Sequence, residues 1–382
     1  MEQTLFSSDF RLGILGGGQL GKMMLYTTRK WDIQTYVMDK DDTAPAFEGC
    51  SVFFEGDIMD YEAVMELGRQ VDVLTIEIEN VNVQALQDLE DEGIAVSPSA
   101  KVLNLIRNKA TQKKFYQENS LPTAPFEAMD QPDVNTSREF PFIWKSAEGG
   151  YDGKGVKVIR SAADLKELPA AECIYEDMVD FDMELAVIVA RNAKGEMKTY
   201  PVVEMEFHPE ANQVEYVICP ARIPEEVSKK ARDLALKVSE AFDHVGLLAV
   251  EMFLTKSGDI LVNEVAPRPH NSGHYSIEGA VTDQFEQQVR CVLNLPLGST
   301  DTVLPAVMVN LVGAEGHTGN VVYDGIEEIL AMDGVTPHIY GKKQTRPFRK
   351  MGHVTIVAKE IEKARELAEV VKGKIKVVAL AG

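Results

Sequence analysis

The sequence predicts a mixed α/β and α+β protein in three parts: a doubly wound parallel-sheet domain, a small α+β lid and a C-terminal α+β domain. Three observations predict it. A short apolar strand runs into GGGQLG and an amphipathic helix, strands and helices then alternate over about the first hundred residues, and a Gly-rich loop lies between two strand-like segments further on.

Taken in order, Arg11–Leu15 reads as a buried strand, Leu20 to about Lys30 as a helix and Gln34–Met38 as a second strand. A helix near Tyr61–Arg69, a strand at Val73–Ile78, a helix at Val83–Glu92 and a strand at Ile94–Val96 continue the alternation, which places the first domain at residues 1–100. Residues 101–123 are helical in pattern and end in LPTAP, whose prolines stop a helix. The lid is expected at residues 124–191, with strands at Phe142–Lys145, Val156–Ile159, Cys173–Glu176 and Glu184–Ala190. Residues 192–382 hold a helix at about Pro224–Phe242, two strands around LLAVEMFL and ILVNEV, a helix at Asp283–Leu293 and a terminal α/β subdomain from about residue 300.

Composition narrows the function. With 39 Lys+Arg against 60 Asp+Glu the net charge is −21, which repels nucleic acid and anionic membrane alike, so neither is an expected partner. A phosphorylated ligand must meet cations concentrated locally. Cys50, Cys173, Cys219 and Cys291 are widely spaced, which suggests free thiols rather than disulfides or zinc, and with no basic-then-apolar leader the expected compartment is the cytoplasm.

Gly16, Gly18 and Gly21 fit GxGxxG after a strand, and Asp39 stands eighteen residues past Gly21. Backbone N–H groups at a helix N-terminus suit a phosphorylated substrate or a nicotinamide dinucleotide, and the same glycines also serve a plain turn. In Lys145-SAEGGYDGKG-Val156, four glycines fall within seven residues, which makes a hairpin tip able to fold over polyphosphate beside Lys145; the alternative is a hairpin without ligand. Glu251 and Asn263/Glu264 lie on two apolar segments joined by TKSGD, and a four-residue loop would set Glu251 opposite Glu264. Two carboxylates and an amide form a hard-oxygen set for Mg²⁺, unless they are a solvated acidic pair. In APRPHNSGH, Arg268, His270 and Asn271 sit between prolines that stiffen the chain, which suits a small planar anion or a structural loop. Lys342, Lys343, Arg346, Arg349 and Lys350 cluster against the acidic trend, as an anion site or a solvated strand edge.

In this order, GGGQLG, EIENV, LPTAP, GGYDGKG, NEVAPRPHNSGH and YGKKQTRPFRKMGH resemble the ATP-grasp superfamily, and within it the N5-carboxyaminoimidazole ribonucleotide synthetases, over nearly the whole chain. The resemblance implies an ATP-grasp fold with a pre-ATP-grasp N-terminal domain. It also implies ATP- and bicarbonate-dependent carboxylation of the amine of aminoimidazole ribonucleotide through carboxyphosphate, in purine (IMP) biosynthesis, by a homodimer. On that likeness ATP lies between lid and C-terminal domain, with Lys109 and Lys145 on its phosphates under Gly149, Gly150, Tyr151, Asp152, Gly153, Lys154 and Gly155. Glu176, Asp177, Met178 and Val179 would meet adenine and Glu184 the ribose, with His208, Asn263 and Glu264 completing the nucleotide site and Glu251 and Glu264 holding Mg²⁺ or Mn²⁺. Gln19, Leu20, Glu79, Tyr151, Lys154, Lys342 and Arg349 would bind the ribonucleotide, and Arg268, His270, Asn271, Lys342 and Asp152 would act in catalysis. Another ATP-grasp ligase with a different acceptor or acid is the alternative, and a nicotinamide oxidoreductase a more distant one.

Overall fold

The computed structural model describes residues 5–149, 155–208 and 213–380. Strands β1 (Arg11–Leu15), β2 (Gln34–Asp39), β3 (Val52–Glu55), β4 (Val73–Ile76) and β5 (Ala95–Ser97) form a parallel sheet in the order β3-β2-β1-β4-β5. Alternate residues feed two cores, as the pleat requires. Leu12, Ile14, Val37 and Val73 pack with the helix Gln19–Lys30, while Leu74, Ile76 and Met38 pack with the helices Tyr61–Gly68 and Val83–Asp91. The edge strand β3 is not expected from the sequence, because four residues with no buried position carry little periodic signal.

The helical stretch that follows is two helices, Ala100–Arg107 and Lys109–Glu118, broken at Asn108. Asn108 leaves the helical conformation and its side chain accepts from Thr111 N at 2.9 Å, so Lys109 becomes the first residue of a new helix. Strands β6 (Phe126–Met129), β7 (Phe142–Ser146), β8 (Val156–Ile159) and β9 (Cys173–Asp177) form the antiparallel lid sheet β6-β9-β7-β8 around Phe142, Trp144, Ile159 and Tyr175.

The remaining strands are β10 (Phe181–Arg191), β11 (Met197–Thr199), β12 (Val203–Phe207), β13 (Val214–Cys219), β14 (Gly246–Thr255), β15 (Ile260–Ala266), β16 (Ala306–Val312), β17 (Gly319–Asp324), β18 (Val335–Ile339), β19 (Gln344–Thr345), β20 (Lys350–Val357) and β21 (Lys376–Ala379). Among the described residues the large sheet runs β15-β14-β10-β12-β13-β16-β20-β18, with β11 on β10 and β19-β17-β21 forming a small separate sheet. One difference from the sequence expectation follows. β10, expected in the lid, pairs along its length with β14 in the large sheet, where its buried run Leu185–Ala190 is covered on both faces. The segment after residue 300, the expected terminal α/β subdomain, adds β16, β20 and β18 to that sheet.

Four histidines sit in the interior or at its edge. His353 and His274 stack at 4.6 Å and His338 lies 4.4 Å beyond on His353, while His244 closes the turn after the helix Glu225–Phe242. Burial holds His244, His274 and His353 neutral, with His244 lowered to about 4. Their folded pKa values lie below the unfolded value of about 6.5, so their contribution is complete above that pH and is lost as pH falls towards the folded values. Each buried histidine should therefore cost up to about 1.4 kcal/mol per pH unit below about 6.5. Urea unfolding should show a lower midpoint at pH 5.5 than at pH 7.5, and a smaller difference in His244→Gln; an equal difference in both proteins would remove His244 from the account.

Candidate active site

The site rests on a period-two pattern. In β10 and β14, Leu185, Val187, Val189, Leu248, Val250 and Met252 turn towards the helix Glu225–Phe242 and form the largest core. The alternate positions turn to the opposite face, where Glu184 pairs across strands with Phe253, and Ala186 with Glu251.

Glu251 pairs in turn with Glu264, but by a different route from the one the loop length suggested. Leu254 pairs with Ile260 and Met252 with Val262, a register that would set Glu251 opposite Asn263. A bulge at Asn263 shifts the pairing by one and restores Glu251 to Glu264. It also lets two successive side chains reach the cleft lysines: Lys145 Nζ donates to Asn263 Oδ1 at 3.1 Å and Lys109 Nζ to Glu264 Oε2 at 2.6 Å.

A second carboxylate ties the lid to this floor. Glu176 on β9 is buried, with Lys145 Nζ 3.0 Å from Oε1 and Lys113 Nζ 2.8 Å from Oε2. Lys113 stands one helical turn past Lys109, so both amines leave the same face of the helix. Burial lowers the Lys113 amine to about 8, whereas Lys109, although burial opposes it, is raised by Glu264. Desolvation would raise every acid here. In Glu176 the lysines Lys145 and Lys113 outweigh it, and in Glu264 Lys109 and Lys145 do so, leaving both below the ordinary carboxylate range. Glu251, buried and facing Glu264 and Glu184, is pushed up, and burial pushes Glu184 up to about 7.

Above the acids lies the Arg268–Asn271 turn. Arg268 Nε donates to Glu79 Oε2 at 2.8 Å, and His270 Nε2 stands 3.4 Å from Glu251 Oε1. Gln284, fully buried, clamps the turn: its Oε1 accepts from His270 N at 2.8 Å and its Nε2 donates to His270 O at 2.9 Å. Asn271 and Asn310 exchange two amide hydrogen bonds at 2.8 and 2.9 Å.

The glycine loop behaves differently from expectation. Glu77, buried at the end of β4, accepts from Gly18 N at 2.8 Å and Gly21 N at 2.6 Å, and Asp39 accepts from Gly17 N at 2.7 Å. A Cβ on Gly16 would come within 2.5 Å of Glu77, and on Gly18 within 2.3 Å. The amides of Gly17, Gly18 and Gly21 thus hold the chain's own carboxylates. Asp39, which also accepts from Lys40 N at 2.7 Å, is spent in the loop and does not stand ready for a dinucleotide ribose.

Three sequence models of families match in succession: a ribonucleotide synthetase preATP-grasp domain over residues 10–107, an ATP-grasp domain over 114–285, and a phosphoribosylaminoimidazole carboxylase C-terminal domain over 306–367. The N5-carboxyaminoimidazole ribonucleotide synthase of Bacillus subtilis is 38% identical over 354 residues, covering 91% of each chain. The chain belongs to the N5-carboxyaminoimidazole ribonucleotide synthetase family.

Solved structures of that family agree. The Thermotoga maritima synthetase superimposes with a TM-score of 0.90 at 44% identity, covering 97% of this chain and 99% of that one. The Aspergillus clavatus protein, solved with ADP and 5-aminoimidazole ribonucleotide, gives 0.88 at 31% identity, covering 97% and 99%.

Of the family residues expected here, Lys109, Lys145, Glu176, Asn263 and Glu264 converge through the contacts above, and Glu79 meets Arg268. Gln19 opens its helix and Leu20 is buried behind it. Strand β9 ends at Asp177, which pairs with Arg138, and Met178 and Val179 lie in the connection to β10. His208 packs edge-on against Phe348 at 6.3 Å, beside Arg349, and Arg349 donates to Gln344 O at 2.6 Å. Gly149 and Gly155 flank residues 150–154, and the expectations for Gly150, Tyr151, Asp152, Gly153 and Lys154 lie outside the described residues. Sequence reasoning missed Glu77, Lys113, Gln284 and Asn310. Lys113 had a signal, its four-residue spacing from Lys109; Gln284 and Asn310 had none, since their partners are distant in sequence.

Removing Lys113 should leave Glu176 short of one cation. Lys113→Met is expected to destabilise on the order of 3 kcal/mol, the usual cost of breaking a buried pair, and Lys113→Met with Glu176→Gln should recover part of that. Denaturant titration of both variants checks it, and purely additive losses would show that the two side chains do not interact.

Proposed function

We propose that this chain uses ATP to carboxylate the amine of aminoimidazole ribonucleotide with bicarbonate, in purine biosynthesis. One observation carries the reading: three lysines and four carboxylates meet in the cleft under the lid, beside the Arg268–Asn271 turn. The names of the relatives support it.

In the proposed reaction a bicarbonate oxygen attacks the γ-phosphorus, the bond to ADP breaks, and carboxyphosphate forms. The substrate amine then attacks the carboxyl carbon, phosphate leaves, and the amine loses a proton. Lys109 and Lys145 would turn from Glu264 and Glu176 to the phosphates, so positioning and charge supply the catalysis. The oxygens of Glu251, Asn263 and Glu264 suit Mg²⁺ or Mn²⁺, which when bound neutralises phosphate charge. The raised Glu251 fits such a site, because two facing carboxylates need a cation between them to ionise together. Arg268 and His270 would orient bicarbonate, with Asn271 held flat by Asn310. Glu77 in the glycine loop disfavours the oxidoreductase reading, leaving a ligase with a different acceptor as the rival.

We also read the protein as a cytoplasmic homodimer. No helix among the described residues is long and apolar enough to cross a membrane. Light scattering tests the dimer.

Phosphate release from Mg·ATP should require the ribonucleotide and respond to bicarbonate; a folded, ATP-binding protein indifferent to the ribonucleotide would point to another acceptor. Glu264→Gln should lower turnover by a factor of about 100 or more in a protein that still unfolds cooperatively, with relief of the repulsion from Glu251 offsetting part of the lost pair with Lys109. Normal turnover in that variant would remove Glu264 from the metal and phosphate site.

A further inference from the structure

Asp283 caps the helix Gln284–Val292 by accepting from Phe285 N at 2.8 Å and Glu286 N at 3.0 Å, so the side chain of Gln284, the first residue of that helix, is free of the task. It is fully buried instead, inside the turn that follows β15. A buried amide is costly unless its polar atoms are paired, and here each of them is. Oε1 accepts from His270 N at 2.8 Å, while Nε2 donates to His270 O at 2.9 Å and to His274 Nδ1 at 2.8 Å. Burial keeps His274 uncharged, which leaves its Nδ1 able to accept. One donor and two acceptors fix which way the amide faces.

The chain closes round this side chain. A Cβ on Gly273 would come within 2.4 Å of Gln284 Oε1, and Gly273 N also donates to His270 O, at 2.9 Å. Gln284 N donates to Ser276 Oγ at 2.9 Å, and Ser276 Oγ to Gly273 O at 2.6 Å.

The neighbours of His270 have anchors elsewhere: Arg268 on Glu79 and Pro269 O, Asn271 on Asn310. For His270 itself, both peptide groups go to Gln284. The ring is then set by the turn, since Nδ1 accepts from Ser272 N at 3.3 Å and Nε2 lies 3.4 Å from Glu251 Oε1. The place of Nε2 over the acidic floor therefore depends on an amide that itself touches no part of the cleft floor.

We propose that Gln284 is a positioning residue for the carboxylation, which holds the His270 ring where bicarbonate is to be oriented in front of Glu251. The inference rests on the function proposed above. Its effect is exerted through distance, because displacing a group at a reaction centre by about 1 Å can cost on the order of 100-fold in rate.

The test is a double-mutant cycle read in phosphate release with the ribonucleotide present and bicarbonate varied. Gln284→Met keeps the length of the side chain and removes its hydrogen bonds. It should lower kcat/KM for bicarbonate by about tenfold or more and leave KM for ATP within about twofold. In a His270→Ala protein the same change should cost less than about twofold, because the ring on which it acts is gone. If Gln284→Met does not fold, the cycle is run with Gln284→Glu, whose acid, kept protonated by burial, retains one donor and one acceptor; a smaller loss is expected, again only with His270 present. Losses of equal size with and without the His270 ring, losses shared equally by ATP and bicarbonate, or no loss in the folded variant would each overturn the proposal. An unaltered protein indifferent to bicarbonate and ribonucleotide would overturn the functional reading and this inference with it, a result visible before any variant is made.

Discussion

Lys113 and Lys145 each hold one oxygen of Glu176, and the cleft owes its form to that arrangement. Without it Lys113 and Lys145 would face each other as like charges, and Lys145 already adds to burial in lowering the Lys113 amine. Glu176, Glu264 and Glu251 face the same difficulty with opposite sign. Interleaving the two sets removes it: Lys113, Glu176, Lys145, Asn263 and, alongside, Lys109 and Glu264 form an alternating chain of short contacts. Lys113 is buried and cannot reach a ligand, so its contribution is to keep Glu176 ionised and in place. The two lysines nearer solvent are then held in reach of a polyphosphate without collapsing onto each other.

The same chain of contacts joins parts of the fold that are otherwise independent. Glu176 belongs to the lid, Lys109 and Lys113 to the helix between the domains, and Asn263 and Glu264 to the edge of the large sheet. The bulge at Asn263 lets a single strand answer two lysines at once. A regular strand would send Asn263 and Glu264 to opposite faces, one of them into the core under the helix Glu225–Phe242. Irregular backbone at this point is therefore what positions the site, a common use of bulges in sheets.

The sequence made much of this legible. The βαβ alternation and the two-residue period of LLAVEMFL carry strong local signals, and they point to the N-terminal sheet and to the strand that bears Glu251. Other features depend on partners far along the chain. Gln284 looks like any polar helix residue, yet it fixes both backbone groups of His270; Asn310 sits inside an apolar strand and is explained only by Asn271. A run such as ELAVIVA in β10 states that it is buried and does not state against what, so the sequence alone groups it with the lid, whereas it lies in the large sheet. TKSGD fits a loop of four or five residues, and of these the four-residue one opposes Glu251 to Glu264; the loop has five, and the bulge at Asn263 restores that opposition.

The N-terminal glycine loop shows how far a motif can be read. The spacing of Gly16, Gly18 and Gly21 reports a backbone conformation, a tight turn that aims several N–H groups at one point ahead of a helix. That convergence demands an anion, and the motif is silent on which one. Here the chain supplies it: Glu77 and Asp39 take three of those N–H groups, and the glycines are needed because a side chain at Gly16 or Gly18 would strike Glu77. Burial raises Glu77, and the hydrogen bonds from Gly21 N and Gly18 N, which anchor it, offset only part of that desolvation. A loop that looks built for an external phosphate is thereby turned into a rigid support for Gln19 and the helix behind it. Two residues beyond Glu77, Glu79 reaches Arg268. One short stretch, EIE, thus carries a buried acid that sets the loop and a second acid that meets the anion-binding turn. Both acids lie just past the end of β4 at Ile76, where the chain leaves the sheet and the strand's alternation no longer fixes their directions.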